Sequence, residues 1–301
     1  MDETYTFLPP RRAGVIFHLG AIAALTLGGA WGLWQAMHTD IGLAFLLYLL
    51  PFIVALPTVP FLLYRLNALE NSAYILARDS ITLRWGLRLE VIPMNAVQWI
   101  RPAADLTGAL RLPRVHWPGS VLGTRHFPGG STVIEFMGSQ PSALLVIAAP
   151  GRFFAISPHN PDEFLRAYQY FTELGSLLTP ASQSVRPTIV MTRVWRTPPA
   201  RGLTLLGILL SLVLLVWASL RIPGLQQVSL GFSSDGMPRT PIPGIRLMLF
   251  PILNGFIYLF NLLVGLNLFR RAETRTLAYL LWGASVFVAV LFLVAMYFAL
   301  P

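Results

Sequence analysis

Long apolar runs flank one extended stretch in which short apolar segments alternate with polar ones. Five runs are long enough to cross a bilayer, which takes about 20 predominantly apolar residues. They are Ala13–Ala36, Ile41–Leu63, Gly202–Leu220, Ile245–Phe269 and Thr276–Leu300, and each predicts a transmembrane helix. The second holds Pro51, Pro57 and Pro60 and is expected to kink, since neighbouring helices can satisfy the carbonyls that proline frees. Arg11-Arg12 before the first run invites a secretory-signal reading. The apolar run is too long for a cleaved signal and no small-residue cleavage site follows it, so a signal anchor is expected.

Between the second and third runs the periodicity changes. Ala73–Arg78, Ile81–Trp85, Leu87–Ile92, Val97–Arg101, Thr132–Met137, Ala143–Ala149 and Arg152–Ile156 are short β-rich runs separated by turn residues. In the second of them Ile81, Leu83 and Trp85 alternate with Thr82 and Arg84, the pattern of a half-buried strand. A helix is predicted over Pro161–Leu174. Asn160 stands at its N-cap with Pro161 as first helical residue, Asp162 and Glu163 favour the positive end of the helix dipole, and Gly175 ends it. Phe164, Ala167, Tyr168, Phe171 and Leu174 give it one apolar face. The predicted fold class is therefore a membrane α-helical protein carrying an inserted α+β module, in which seven strands form a strongly bent antiparallel sheet plugged by the helix. The expected organisation is helices one and two over 13–65, the module over 66–177, a linker over 178–201, and helices three to five over 202–300 with an outer loop at 222–244.

Composition agrees with a membrane class: 55% of the 301 residues are hydrophobic and 12% charged, where a soluble domain carries about 25% charged residues. There is no cysteine, which excludes disulfides, thiolate metal sites and cysteine nucleophiles. The formal charge is +9 and every basic residue is arginine. Arg11, Arg12, Arg65, Arg78, Arg186, Arg193, Arg196, Arg201, Arg270, Arg271 and Arg275 fall on one side of the expected spans, against Arg221, Arg239 and Arg246 on the other. The positive-inside rule then puts the N-terminus and the module in the cytoplasm and the C-terminus outside. Trp31, Trp34 and Tyr297 suit the aromatic belts at the membrane faces. Charge laid out by topology, with no base-reading motif beside it, argues against a nucleic-acid partner.

Two motifs in the module, Trp117-Pro118-Gly119-x-x-x-Gly123 and Ile156-Ser157-Pro158-x-x-Pro161-x-x-Phe164, resemble the bacterial pleckstrin-homology-like (bPH) domain integral membrane proteins over about residues 66–177. The resemblance implies a PH-like module and brings no catalytic residues. Gly231-Phe232-Ser233-Ser234-Asp235-Gly236, followed by Pro251, is similar to a membrane domain of unknown function found in some toxin-immunity proteins. That domain often has a histidine before its glycine, and here the glycine-containing pair is Gly231-Phe232.

Candidate chemistry gathers in two places. The interval Pro102–Ser131 is too long for an ordinary hairpin loop and holds Arg111, Arg114, His116, Trp117, Arg125 and His126 against the single carboxylate of Asp105. Guanidinium forks match phosphate oxygens, so Arg111, Arg114, His116, Trp117 and Arg125 form a candidate site for anionic lipid headgroups. The plainer reading is a folded excursion with Trp117 packed on the sheet. His116 and His126 make an incomplete metal set, and no metal or other cofactor is expected. His18, inside the first span, is read as bonding an adjacent helix near the cytoplasmic interface rather than handling protons. In the fourth span Asn254, Tyr258, Asn261 and Gly265 share one helical face, suited either to interhelical hydrogen bonds or to lining a path. Gly28-x-x-x-Gly32 permits close helix approach. No nucleophile elbow, Walker A loop or H-E-x-x-H motif occurs. The expected function is a non-enzymatic, membrane-anchored interaction or scaffold protein of the bacterial inner membrane, possible partners being the bilayer, its anionic headgroups and other membrane or cytoplasmic proteins. The alternative is an immunity or transport-type protein that uses the fourth-span stripe and the outer loop.

Overall fold

A computed structural model describes residues 4–106, 110–126, 132–142, 144–175, 182–185, 190–228 and 242–300. The chain divides into two compact units, one built from residues 1–27 and 56–187, the other from 28–55 and 188–301. In chain order the elements are β1 (Thr4–Phe7), α1 (Arg12–His38), α2 (Leu43–Glu70), β2 (Ala73–Ala77), β3 (Ser80–Trp85), β4 (Arg88–Pro93), β5 (Trp99–Pro102), β6 (Val121–His126), β7 (Val133–Gly138), β8 (Leu145–Ala149), β9 (Arg152–Ile156), α3 (Pro161–Leu174), β10 (Gln183–Val185), α4 (Val190–Arg196), α5 (Pro198–Arg221), α6 (Leu249–Phe269) and α7 (Arg275–Ala299). Among the described residues, the helices carrying all five apolar runs are long and apolar enough to cross a membrane. α2 stays helical through Pro51, Pro57 and Pro60 to Glu70, about two turns past the apolar run.

The first unit corrects the expectation of one seven-stranded antiparallel sheet. Its strands form two five-stranded sheets, ordered β1-β2-β3-β4-β10 and β5-β8-β9-β7-β6. Within the second, β7 and β9 pair in parallel, Val133 opposite Arg152 and Met137 opposite Ile156. Three strands escape a local reading because each is recruited from far along the chain or carries little apolar character. β1 pairs Thr4 with Ala77 and Phe7 with Tyr74, and β10 pairs Gln183 with Val91. β6 contains Gly123, Thr124 and Arg125 and lies inside the interval read as a loop.

Alternation within the strands sets the core. Ile81, Leu83 and Trp85 point inward from β3 while Thr82 and Arg84 do not. They join Tyr74, Leu76, Leu145, Ile147, Phe154, Ile156 and the helix residues Phe164 and Phe171 in the main core. β8 is buried along its whole length, because the opposite face of its sheet has a core of its own: Val121, Ile134, Phe136, Leu144, Val146 and Ala155, covered by Ala103, Leu106, Leu110 and Leu112. The interval after β5 is thus in part a lid on the second sheet.

α3 forms over the expected residues, and its start differs in one detail. The Asn160 amide donates to Glu163 Oε2 at 3.0 Å instead of its side-chain oxygen capping a backbone N–H. Gly175 ends the helix at φ 69°. β1 seals the edge beside α3, with Phe7 against Phe164 (ring centroids 5.1 Å apart) and Tyr5 against Phe171 (5.6 Å). Phe7→Ala is expected to cost about 3 kcal/mol, the scale of a buried Phe truncation, read as a lower unfolding temperature of the full chain by tryptophan fluorescence.

The second unit packs α5, α6 and α7 with α4 through two apolar clusters, one around Leu214, Leu247 and Met296 and one around Val194, Phe269 and Trp282. Close approach within residues 28–55 uses Gly29 and Gly32. A Cβ on Gly29 would stand 3.0 Å from that of Ala55, and one on Gly32 would meet Pro51 and the Tyr48 carbonyl, whereas Gly28 has nothing near it.

Candidate functional site

A polar cluster in the first unit that includes two sequence candidates lies where the turn before β6 meets the start of α1 and the end of α2. Trp117 and Ser120 bridge each other, with Ser120 N–H donating to Trp117 O at 2.9 Å, which closes a tight turn over Pro118-Gly119. Gly119 has φ +81°, a conformation that favours glycine. Its Cα comes against Gly14 of α1 so closely that a Cβ on either residue would collide with the other's backbone or with Leu69. This glycine-to-glycine contact lets the Trp117 side chain reach the helices.

There Trp117 Nε1 donates to His18 Nε2 at 3.1 Å, and His18 Nδ1 lies 2.6 Å from Gly14 O. An indole N–H can only donate, so Nε2 must accept and the proton sits on Nδ1, donated to the carbonyl. His18 is fully buried and both ring nitrogens are used. On the other side, the Arg65 guanidinium stacks over Trp117 at 5.4 Å and Phe61 at 5.2 Å, and its Nη1 donates to Ser120 Oγ at 3.3 Å. Cation–π contacts strengthen to about 2 kcal/mol when desolvated. One level further, Arg11 Nη2 donates to Ser72 O at 2.5 Å. These contacts fasten the sheets' loop to α1 and α2 by directed bonds as well as apolar packing.

The five loop candidates therefore separate. Trp117 turns into the helices and not onto the sheet. Arg125 is half-buried and donates through Nε to Leu112 O at 3.0 Å, tying β6 to the lid segment. His116 is exposed with Nδ1 3.0 Å from Pro113 O. Arg111 and Arg114 are exposed. Among the described residues no three His, Asp or Glu side chains gather in a metal-ligating group.

Reading the sequence missed Arg65, counted there only for topology, and a second cluster between the sheets. Glu90 on β4 and Glu135 on β7 are both buried. Arg88 reaches Glu90 Oε1 from Nη2 at 2.8 Å and from Nε at 3.1 Å, and also binds Glu135 Oε2. Arg152 Nη1 lies 3.8 Å from Glu90 Oε2, beside a cavity of about 240 Å3. The only signal was a carboxylate inside each of two strand-like runs. Tyr74, also buried, donates to Met137 O at 2.6 Å and receives Ser157 N–H at 3.3 Å. Burial pushes its phenol well up, so it stays a neutral donor.

In the second unit the fourth-span stripe divides between two neighbours. Asn254 Nδ2 donates to Ser211 Oγ on α5 at 2.8 Å, Tyr258 Oη to Thr204 O on α5 at 3.0 Å, and Asn261 Nδ2 to Ser285 Oγ on α7 at 3.0 Å. Gly265 in the same row receives the Trp282 indole. Each stripe residue thus has a partner on a flanking helix. The Gly231–Gly236 motif lies outside the described residues.

Residues 72–171, from just before β2 to Phe171 in α3, match the family model of the bacterial PH domain. No curated protein and no solved structure matches the chain. The matched stretch contains Trp117, Ser120 and the Arg88–Glu90–Glu135 cluster, while β1, β10 and the helical partners Gly14, His18, Phe61 and Arg65 lie outside it.

Proposed function

We propose that the chain is a non-enzymatic, multi-pass interaction or scaffold protein of the bacterial cytoplasmic membrane, whose PH-like module is carried on the cytoplasmic ends of α1 and α2. The observation that carries this reading is the Trp117–His18 hydrogen bond under Arg65. It holds the module to helices that are long and apolar enough to span a bilayer, so the module's other faces are offered at a set height beside the membrane. The spans already anchor the module, so this fastening serves to orient it rather than to recruit it. Arginine placement supports the cytoplasmic side for the module and the N-terminus, and the outside for the C-terminus. The hydrogen-bonding of Asn254, Tyr258 and Asn261 to α5 and α7 favours this reading over a solute path through α6.

Reporter fusions test it. A fluorescent protein inserted at the exposed Gly151 turn is expected to fluoresce inside the cell, and alkaline phosphatase fused after Pro301 to be active outside. Asn254→Leu with Asn261→Leu is expected to leave crosslinked partners of the module unchanged. A module reporter active outside the cell overturns the topology, and loss of those partners in the double leucine variant overturns the role assigned to the module.

A further inference from the structure

We propose that residues 110–118 form a rigid interfacial wedge that binds anionic phospholipid headgroups of the same bilayer that α1 and α2 cross; the proposal rests on reading those helices as spans. Position is the first argument. His18, which receives the Trp117 indole, lies about 9 Å along α1 from Arg12 at 1.5 Å per residue. Around that level the helices expose Ile16 (72%), Leu19 (52%), Phe61 (44%) and Leu63 (49%). Such a continuous apolar surface belongs against acyl chains and not water. The turn carrying Trp117 is therefore set beside the helices at the depth where headgroups give way to hydrocarbon.

Local chemistry is the second argument. Val115 is 67% exposed, two residues from the half-buried indole held by His18 and Arg65. Exposed Arg114 and His116 flank it, and exposed Arg111 precedes them. Neither Arg111 nor Arg114 enters an ion pair among the described residues. An apolar tip with two guanidinium groups before it and a polar imidazole after it is a composition that settles at a membrane interface, apolar side inward and charge among the phosphates.

Rigidity is the third argument. Leu110 and Leu112 pack on the second sheet, Arg125 holds Leu112 O, and Trp117 is held by His18 and Arg65. The segment between them is pinned at both ends, so seating it costs little ordering entropy.

The chain has no cysteine, so single cysteines introduced into the full chain and labelled with an environment-sensitive dye report unique positions. Val115→Cys is compared in nanodiscs with Ile16→Cys on the exposed face of α1 and with Glu173→Cys at the far end of α3. The expected result is a blue-shifted Val115 probe, quenched by brominated lipids and more strongly by brominated phosphatidylglycerol than by brominated phosphatidylcholine. Arg111→Ala and Arg114→Ala are each expected to reduce that preference by about fivefold, the scale of one basic residue near a charged surface. If the Ile16 probe is quenched while the Val115 probe behaves like Glu173, the wedge is overturned and the spans stand. If Ile16 also escapes lipid quenching, the span reading beneath the proposal fails. Equal quenching of Val115 by both lipids, unchanged by the arginine variants, overturns the headgroup assignment.

Discussion

Trp117→Ala is expected to destabilise the first unit by about 3 kcal/mol, the lower end of the range for removing a packed Trp. The variant strips Arg65 of one of its two stacked rings and leaves the buried His18 Nε2 without its donor. A conservative change separates the two losses. Trp117→Phe keeps an aromatic face under Arg65 but still abandons His18, at a cost of about 1–3 kcal/mol for an unsatisfied buried acceptor. Replacing both partners, with Trp117→Phe and His18→Leu together, removes that penalty. The double variant is therefore expected to unfold at a higher temperature than the sum of the two single effects allows. Thermal unfolding of the full chain in detergent gives all four corners of the cycle, and simple additivity would mean that the bond contributes nothing.

A comparable loss is expected from Arg88→Ala. Glu90 and Glu135 come from different sheets, are 2% and 4% exposed, and share the Arg88 guanidinium. Removing one member of a buried ion network costs about 3–5 kcal/mol, because the charges left behind stay desolvated. Arg152, at 3.8 Å from Glu90 alone, does not replace the bond to Glu135. Substituting leucine at positions 88, 90 and 135 together is expected to recover most of the loss, since apolar groups need no partner. Chemical denaturation of the full chain compares the two variants, and equal instability of the single and triple variants would show that the charges themselves are not the issue.

The helices were legible because a run such as LLGILLSLVLLVWASL carries its environment in its own composition. α3 was legible for a similar reason, with Pro161 opening it, Gly175 closing it and Phe164 and Phe171 on one face. Strands were legible where an alternating or continuous apolar run stood between turn residues, as in β3 and β8. β1 and β10 are four and three residues long and take their identity from partners far along the chain. No local pattern encodes such a pairing. The parallel match of β7 with β9 has the same origin, because two apolar runs state that they are strands without stating direction.

The site was half visible. Trp117 and His18 each stood out, one in a loop and one inside an apolar run, but nothing in either segment points to the other. What joins them is Gly14 against Gly119, and glycine in a helix or a turn has too many uses to read as a contact. Arg111, Arg114 and Arg125 looked alike in sequence. In the fold Arg125 is committed to Leu112 O while Arg111 and Arg114 are exposed. The asparagines of α6 were legible as a stripe because i, i+3 and i+4 spacing is a property of one helix, but their partners Ser211 and Ser285 on α5 and α7 required the packing.

The fastening of the module to its own helices is tested most directly by photocrosslinking in intact membranes, with a benzophenone amino acid at position 117 of the full chain. Trypsin then cuts after Arg12, Arg65, Arg114 and Arg125, so the probe leaves on the peptide Val115–Arg125 and its neighbours His18 and Phe61 on Ala13–Arg65. Mass spectrometry is expected to find these two peptides joined within one chain. A probe that joins only sheet peptides, or only other proteins, would contradict the account.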